Sequence, residues 1–131
     1  MKLALGIGCD RGTPVATIAQ AVEAALAQIN ASTDDVALLA SIDLKSDEAG
    51  LLEYAAACHR KLVFYSAAEL AQIEVPNPSE TVRKYTGTPS VSEAAALLLA
   101  NTDMQALLVE KFKLRGPDGR NATISIARMT Q

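Results

Sequence analysis

The residues best suited to chemistry gather in a few polar loops, and the first of these is Gly6-Ile7-Gly8-Cys9-Asp10-Arg11-Gly12-Thr13. A glycine-rich turn between a strand and a helix leaves backbone N–H groups free to meet an anion, and the helix dipole favours that charge. A tight turn without any ligand accounts for the same glycines. The third glycine falls one place later than in the dinucleotide fingerprint, and no Gly-Lys-Ser/Thr follows. The spacing therefore speaks against a nicotinamide dinucleotide site and excludes a P-loop. Cys9 lies beside a helix N-terminus, where a thiolate is stabilised. The base a nucleophile needs is missing, because the single histidine, His59, belongs to the end of a different helix. Cys9 thus reads as a partly buried structural residue, although its place in the loop keeps it among the ligand-binding candidates.

The second loop, Ser41-Ile42-Asp43-Leu44-Lys45-Ser46, opens on the same edge as the first. Asp43 and Lys45 either pair with each other at the surface, which contributes little, or meet a ligand where open α/β sheets bind them. The third stretch, Tyr85 to Glu93, offers Thr86, Gly87, Thr88 and Ser90 at another helix start, and Asn77-Pro78-Ser79 offers similar groups. Ser90-Val91-Ser92-Glu93 matches a capping box, which gives Glu93 a structural task as an alternative to catalysis. With Gly8, Arg11, Gly12, Ser41, Lys45 and Lys111, these loops suit a ligand carrying several carboxylates. No nucleophile–base–orienter set, metal cluster or aromatic stacking platform is visible, so no metal and no cofactor are expected. Asp43 and Glu93 are the weak candidates for a catalytic base.

The elements that must position these loops follow from apolar patterning. Leu3 to Gly8, Val36 to Ile42 and Lys61 to Tyr65 read as strands. Between them lies a helix capped by Thr13 with Pro14 at its first position, its stripe running Val15, Ile18, Val22, Leu26 and Ile29. Ser46-Asp47-Glu48 supplies a cap and first-turn acids for a second helix with Leu51, Leu52 and Ala55 on one side. Residues 66–86 are less regular, with a short helical piece at Ala67 to Gln72 and a turn at Pro76 to Ser79. Ala94 to Ala100 continues as a buried helix. Ala106 to Leu114 and Ala122 to Met129 form a β-hairpin about Arg115-Gly116-Pro117-Asp118-Gly119, its second arm partly exposed because Ser125 alternates with Ile124 and Ile126. The expected fold is a three-layer α/β/α domain over residues 1–131, with a mostly parallel mixed sheet of about five strands ending in that hairpin.

Composition agrees with a single folded domain. The chain has 131 residues, half of them hydrophobic, and a net charge of −3. That acidity argues against general nucleic-acid binding. Two cysteines are too few for a disulfide framework or a structural zinc site. The N-terminal apolar run of about six residues is shorter than a secretory h-region, and no run approaches the roughly 20 residues of a membrane span. A soluble, cytoplasmic protein with no membrane partner is expected.

Taken together, Gly6 to Gly12, Ser41 to Lys45 with Glu48 and Gly50, Pro76 to Ser79, Gly87 to Ala96, and Lys111 with Ala122 to Ala127 resemble the CobE family. That family also forms the C-terminal domain of the cobalamin biosynthesis protein CbiG. The resemblance implies a role in building the corrin ring of vitamin B12. It implies a precorrin or corrin ligand, a tetrapyrrole that carries acetate and propionate groups and is therefore a polycarboxylate. The longer CbiG proteins open a lactone on a cobalt-precorrin, and this chain matches only their C-terminal domain. Three readings follow: a carrier or auxiliary factor for a corrin intermediate, a hydrolase or rearrangement enzyme on a precorrin lactone, and a module that docks on another enzyme of the pathway.

Overall fold

The computed structural model describes residues 2–129, so the extreme ends of the expected domain lie outside it. Its elements run β1 (Leu3–Cys9), α1 (Val15–Ala27), β2 (Val36–Ile42), α2 (Ala49–Ala57), β3 (Lys61–Tyr65), α3 (Ala67–Ala71), α4 (Glu80–Thr86), α5 (Val91–Ala100), β4 (Leu107–Arg115) and β5 (Asn121–Arg128). The strands form one sheet in the order β3-β2-β1-β5-β4. β1, β2 and β3 are parallel, and β5 alone runs opposite to the other four strands. The fold is therefore the expected mixed, mostly parallel α/β sheet closed by a C-terminal hairpin.

Two faces of β1 divide the core. Leu3, Leu5 and Ile7 pack with Ile18, Val22 and Leu26 of α1 and with Leu51 and Tyr54 of α2. The opposite face carries small residues, Ala4 and Gly6 of β1, Ala40 of β2 and Ala127 of β5, against Ala94, Ala95 and Ala96 of α5. That face lets α5 sit unusually close. A Cβ at Gly6 would lie 1.9 Å from the Ser92 carbonyl oxygen and 2.7 Å from the Ala96 nitrogen. α5 thus rests on backbone, and only glycine fits there.

Several local expectations need correction. β5 is a central strand, and Ile124, Ser125, Ile126 and Ala127 are all buried. The Ser125 hydroxyl is tolerated inside because it pairs with Ser92 Oγ (2.8 Å) and with the Glu110 carbonyl. Pro14, not Thr13, holds the N-cap position of α1, while the Thr13 hydroxyl donates to the Asp10 carbonyl (2.7 Å). Glu48 is the N-cap residue of α2, so Ser46, Asp47 and Glu48 precede that helix. Leu52 is exposed, unlike Leu51. Residues 80–86 form α4, a helix the apolar pattern does not reveal, capped by the Ser79 hydroxyl at Val82 N (3.2 Å) and closed by left-handed Gly87.

Candidate functional site

The carboxyl ends of β1, β2 and β4 and the amino end of β5 open on one edge, roofed by α4 and the start of α5. Between them lies a cleft of about 730 Å³. β1 and its loop contribute Gly8, Cys9, Asp10 and Arg11, and the segment after β2 contributes Ile42 and Lys45. β4 contributes Lys111 and Lys113, and β5 contributes Asn121 and Thr123. The roof consists of Ser79, Thr81, Val82, Tyr85 and Thr86 around α4, with Ser90, Val91 and Ser92 at α5. Arg11 is paired with Asp47 and Glu48 behind the lining, and Lys45, Lys111 and Lys113 share the lining with a single carboxylate, Asp10, so the cleft is cationic on a chain whose net charge is −3.

The first loop is already held by an internal anion. Glu48 is buried, its Oε2 accepts from Gly12 N–H (2.9 Å), and its Oε1 pairs with Arg11 (3.1 Å). Arg11 also pairs with Asp47 (2.8 Å) and donates to the Leu44 carbonyl (2.9 Å). Its guanidinium holds the Asp47 carboxyl below the usual carboxylate range. Gly50 permits this docking, since a Cβ there would lie 2.2 Å from the Thr13 carbonyl oxygen. The acids expected to start α2 therefore serve as clamps on the glycine loop. Asp10 is likewise engaged, accepting from Asn121 N–H (2.8 Å) and Asn121 Nδ2 (3.0 Å).

Cys9 faces the cleft as a neutral thiol, because burial pushes its pKa up to about 11. No hydrogen bond or ion pair engages the Lys45 ammonium among the described residues, so it is free to meet a ligand. The roof is pinned from below: Asn77 N–H and Nδ2 donate to the Glu93 carboxylate (3.3 and 2.7 Å), and Nδ2 also donates to Glu110 (3.0 Å). Lys111 Nζ donates to the Asn77 carbonyl (2.9 Å), tying β4 to the same loop.

Of the residues singled out from the sequence, Gly8, Cys9, Arg11, Lys45, Ser79, Thr86, Ser90 and Lys111 share this cleft. The others stand outside its lining. Gly12 gives its N–H to Glu48. Ser41 is fully buried and donates to the Ile7 carbonyl (2.6 Å). Gly87 is the left-handed C-cap of α4, and Thr88 is buried beside it. Asp43 is an exposed residue of the 3₁₀ turn after β2. Glu93 is fully buried and committed to Asn77, and Ser90 makes no capping bond, so the expected capping box is absent. Sequence reasoning missed Asp10, Tyr85, Lys113, Asn121 and Thr123. The sequence does carry a signal for Lys113, since residues two apart on a strand share a face and Lys111 is a candidate. Among the described residues no three His, Cys, Asp or Glu side chains gather as a metal site, and no helix is long and apolar enough to cross a membrane.

Comparison with known proteins places this geometry. The family described as "Cobalamin synthesis G C-terminus" matches residues 3–127. The chain is 43% identical over 125 residues to the cobalt-precorrin-5A hydrolase of Priestia megaterium, covering 95% of this chain and 32% of that protein. It therefore spans about a third of that relative's length. It is 38% identical over 112 residues to Protein CobE of Sinorhizobium sp, covering 84% of this chain and 72% of the relative. The crystal structure of CobE, a protein of the cobalamin biosynthetic pathway, superposes with a TM-score of 0.83 at 36% identity, covering 98% of this chain and 90% of that one. The cobalamin biosynthesis protein chiG of Agrobacterium tumefaciens superposes with a TM-score of 0.68 at 30% identity, covering 98% and 99% of the two chains. This chain belongs to the cobalamin synthesis G C-terminus family, the CobE-like homologues of the C-terminal part of CbiG.

Proposed function

We propose that this protein serves cobalamin biosynthesis by binding a polycarboxylate precorrin or corrin intermediate in the cleft, as a carrier or auxiliary factor. The observation that carries this reading is the charge of the cleft: three lysines, Lys45, Lys111 and Lys113, line it without an ion-pair partner among the described residues, although acids outnumber bases in the chain. A lysine ammonium and a ligand carboxylate form charge-assisted hydrogen bonds that neutral surfaces do not offer. The cleft volume falls in the range of small-molecule sites. Tyr85, an exposed aromatic ring on its rim, suits contact with the face of a flat macrocycle. The thiol of Cys9 and the engaged carboxylate of Asp10 fit a holding site better than a reactive one.

A second reading, hydrolysis of a precorrin lactone, is favoured by the 43% identity to the Priestia megaterium hydrolase. In that version Asp10, held by Asn121 through its Oδ2, acts as general base through its Oδ1, with Lys45 beside the developing oxyanion. A single experiment separates the two. The purified protein is mixed with hydrogenobyrinic acid, and separately with a lactone-bearing cobalt-precorrin, while the visible spectrum is followed. Saturable, static shifts support the carrier. A spectrum that evolves into a new chromophore, with a new mass, supports the hydrolase. No shift with either compound refutes both and moves attention to a protein partner from the same pathway.

A further inference from the structure

The loops around the cleft are not equally free to hold an anion. Glu48 already occupies the N–H of Gly12 and one side of Arg11, and α4 is less than two turns long and spends its cap on Ser79. α5 is different. It has ten residues, and Ser90, Val91 and Ser92 at its start line the cleft. The N–H groups of a helix's first turn have no acceptor within the helix. Ser90 occupies the N-cap position in extended geometry (φ −159°, ψ 115°), yet its hydroxyl makes no capping bond. The residue is 1% exposed, and its Oγ has no hydrogen-bond partner. A buried hydroxyl left unpaired is rare in folded proteins and calls for a reason. Ser92 is spoken for, since its Oγ pairs with Ser125 (2.8 Å).

The geometry points to a carboxylate subsite at the start of α5. The Ser90 hydroxyl and the first-turn N–H groups bind one carboxylate, and the dipole of α5 adds to the attraction. Lys111 and Lys113 share the cleft with it and favour the same charge. For the ligand's identity the subsite rests on the polycarboxylate reading above; for its anion class it rests on Ser90 and α5 alone.

The test is an amide NMR titration with citrate, a tricarboxylate, on the wild type, Ser90→Ala and Ser90→Thr, beside a visible titration with hydrogenobyrinic acid. The wild type should show saturable shifts at the amides of residues 91–93. Ser90→Ala should weaken citrate and hydrogenobyrinic acid binding roughly tenfold, the scale of one charge-assisted hydrogen bond. It should not lower the melting temperature, because the hydroxyl it removes is bonded to nothing. Ser90→Thr, which keeps the hydroxyl, should bind citrate more tightly than Ser90→Ala. Shifts confined to the lysine-bearing strand and unchanged by Ser90→Ala would overturn the subsite. Equal binding of hydrogenobyrinic acid by wild type and Ser90→Ala overturns the subsite and leaves the corrin reading standing. Citrate at α5 with no corrinoid binding by the wild type upholds the subsite and removes the corrin reading.

Discussion

Replacing Gly6 with alanine probes the contact that sets the roof of the cleft. The added Cβ would sit 1.9 Å from the Ser92 carbonyl oxygen, where ordinary contact begins at 3.4 Å. α5 must therefore retreat from β1 by roughly 1.5 Å, and the obstacle is backbone, which no rotamer change relieves. Overpacking of this kind costs about 1–3 kcal/mol, occasionally more, and a backbone clash belongs at or above the upper end. For a chain of this size about 3 kcal/mol lowers the melting temperature by roughly 10–15 °C. Gly8→Ala is the matched control, because its Cβ would meet only the Val91 side chain, at 3.8 Å from Cβ and 3.9 Å from Cγ1. It should change stability by no more than about 1 kcal/mol, in the stabilising direction if at all. Urea and thermal unfolding followed by circular dichroism measure both variants. Gly6→Ala unfolding with the wild-type midpoint would refute the close seating of α5 on β1.

Three further outcomes follow from the same geometry. In a Cys58→Ser background, alkylation of Cys9 should rise with pH about a midpoint near 11; a midpoint at 8.5–9, the ordinary thiol range, contradicts the buried thiol. Glu48→Ala leaves the Gly12 N–H unpaired and should destabilise by about 1–3 kcal/mol, while Asp47→Ala, on an exposed partner of Arg11, should move the urea unfolding midpoint much less. Because Arg11 depresses the folded-state pKa of Asp47, the folded protein binds fewer protons there than the unfolded chain. That pair's contribution is therefore present above the ordinary carboxylate pKa and lost as pH falls through the depressed one. The Asp47→Ala difference should shrink in unfolding series taken below pH 4, and an unchanged difference would exclude this linkage.

The sequence made the framework legible where burial is strong and periodic. β1, β2 and β3, the stripe of α1 and the helix α5 all carry uninterrupted or regularly spaced apolar residues, and the pattern locates each of them, with Ile29 alone falling past the end of α1. α4 escaped because none of its residues is buried and only Val82 packs partly against the core; its signals were the punctuation at Ser79 and Gly87. In β5 a serine alternates with isoleucines, which is the pattern of a partly exposed strand, although Ser125 is buried. The partners that make Ser125 harmless, Ser92 and the Glu110 carbonyl, lie 33 and 15 residues away. The site divides the same way. Gly8, Cys9 and Lys45 follow from the rule that ligands meet the carboxyl ends of parallel strands. Arg11 was legible as a cation but not as one already neutralised by Asp47 and Glu48, 36 and 37 positions along the chain. Asn121 and Thr123 needed the knowledge that the hairpin inserts β5 beside β1, which local pattern does not contain.

Binding of a polycarboxylate corrin intermediate in the cationic cleft can be measured directly. The experiment is an equilibrium titration of hydrogenobyrinic acid into the wild type and into Lys45→Ala/Lys113→Ala, each at low and at physiological salt. The wild type should show saturable one-to-one binding that weakens with salt. The double variant, with its fold intact by circular dichroism, should lose roughly thirtyfold or more in affinity. Absence of binding by the wild type, or equal affinity in the two proteins, would contradict corrin binding in the cleft.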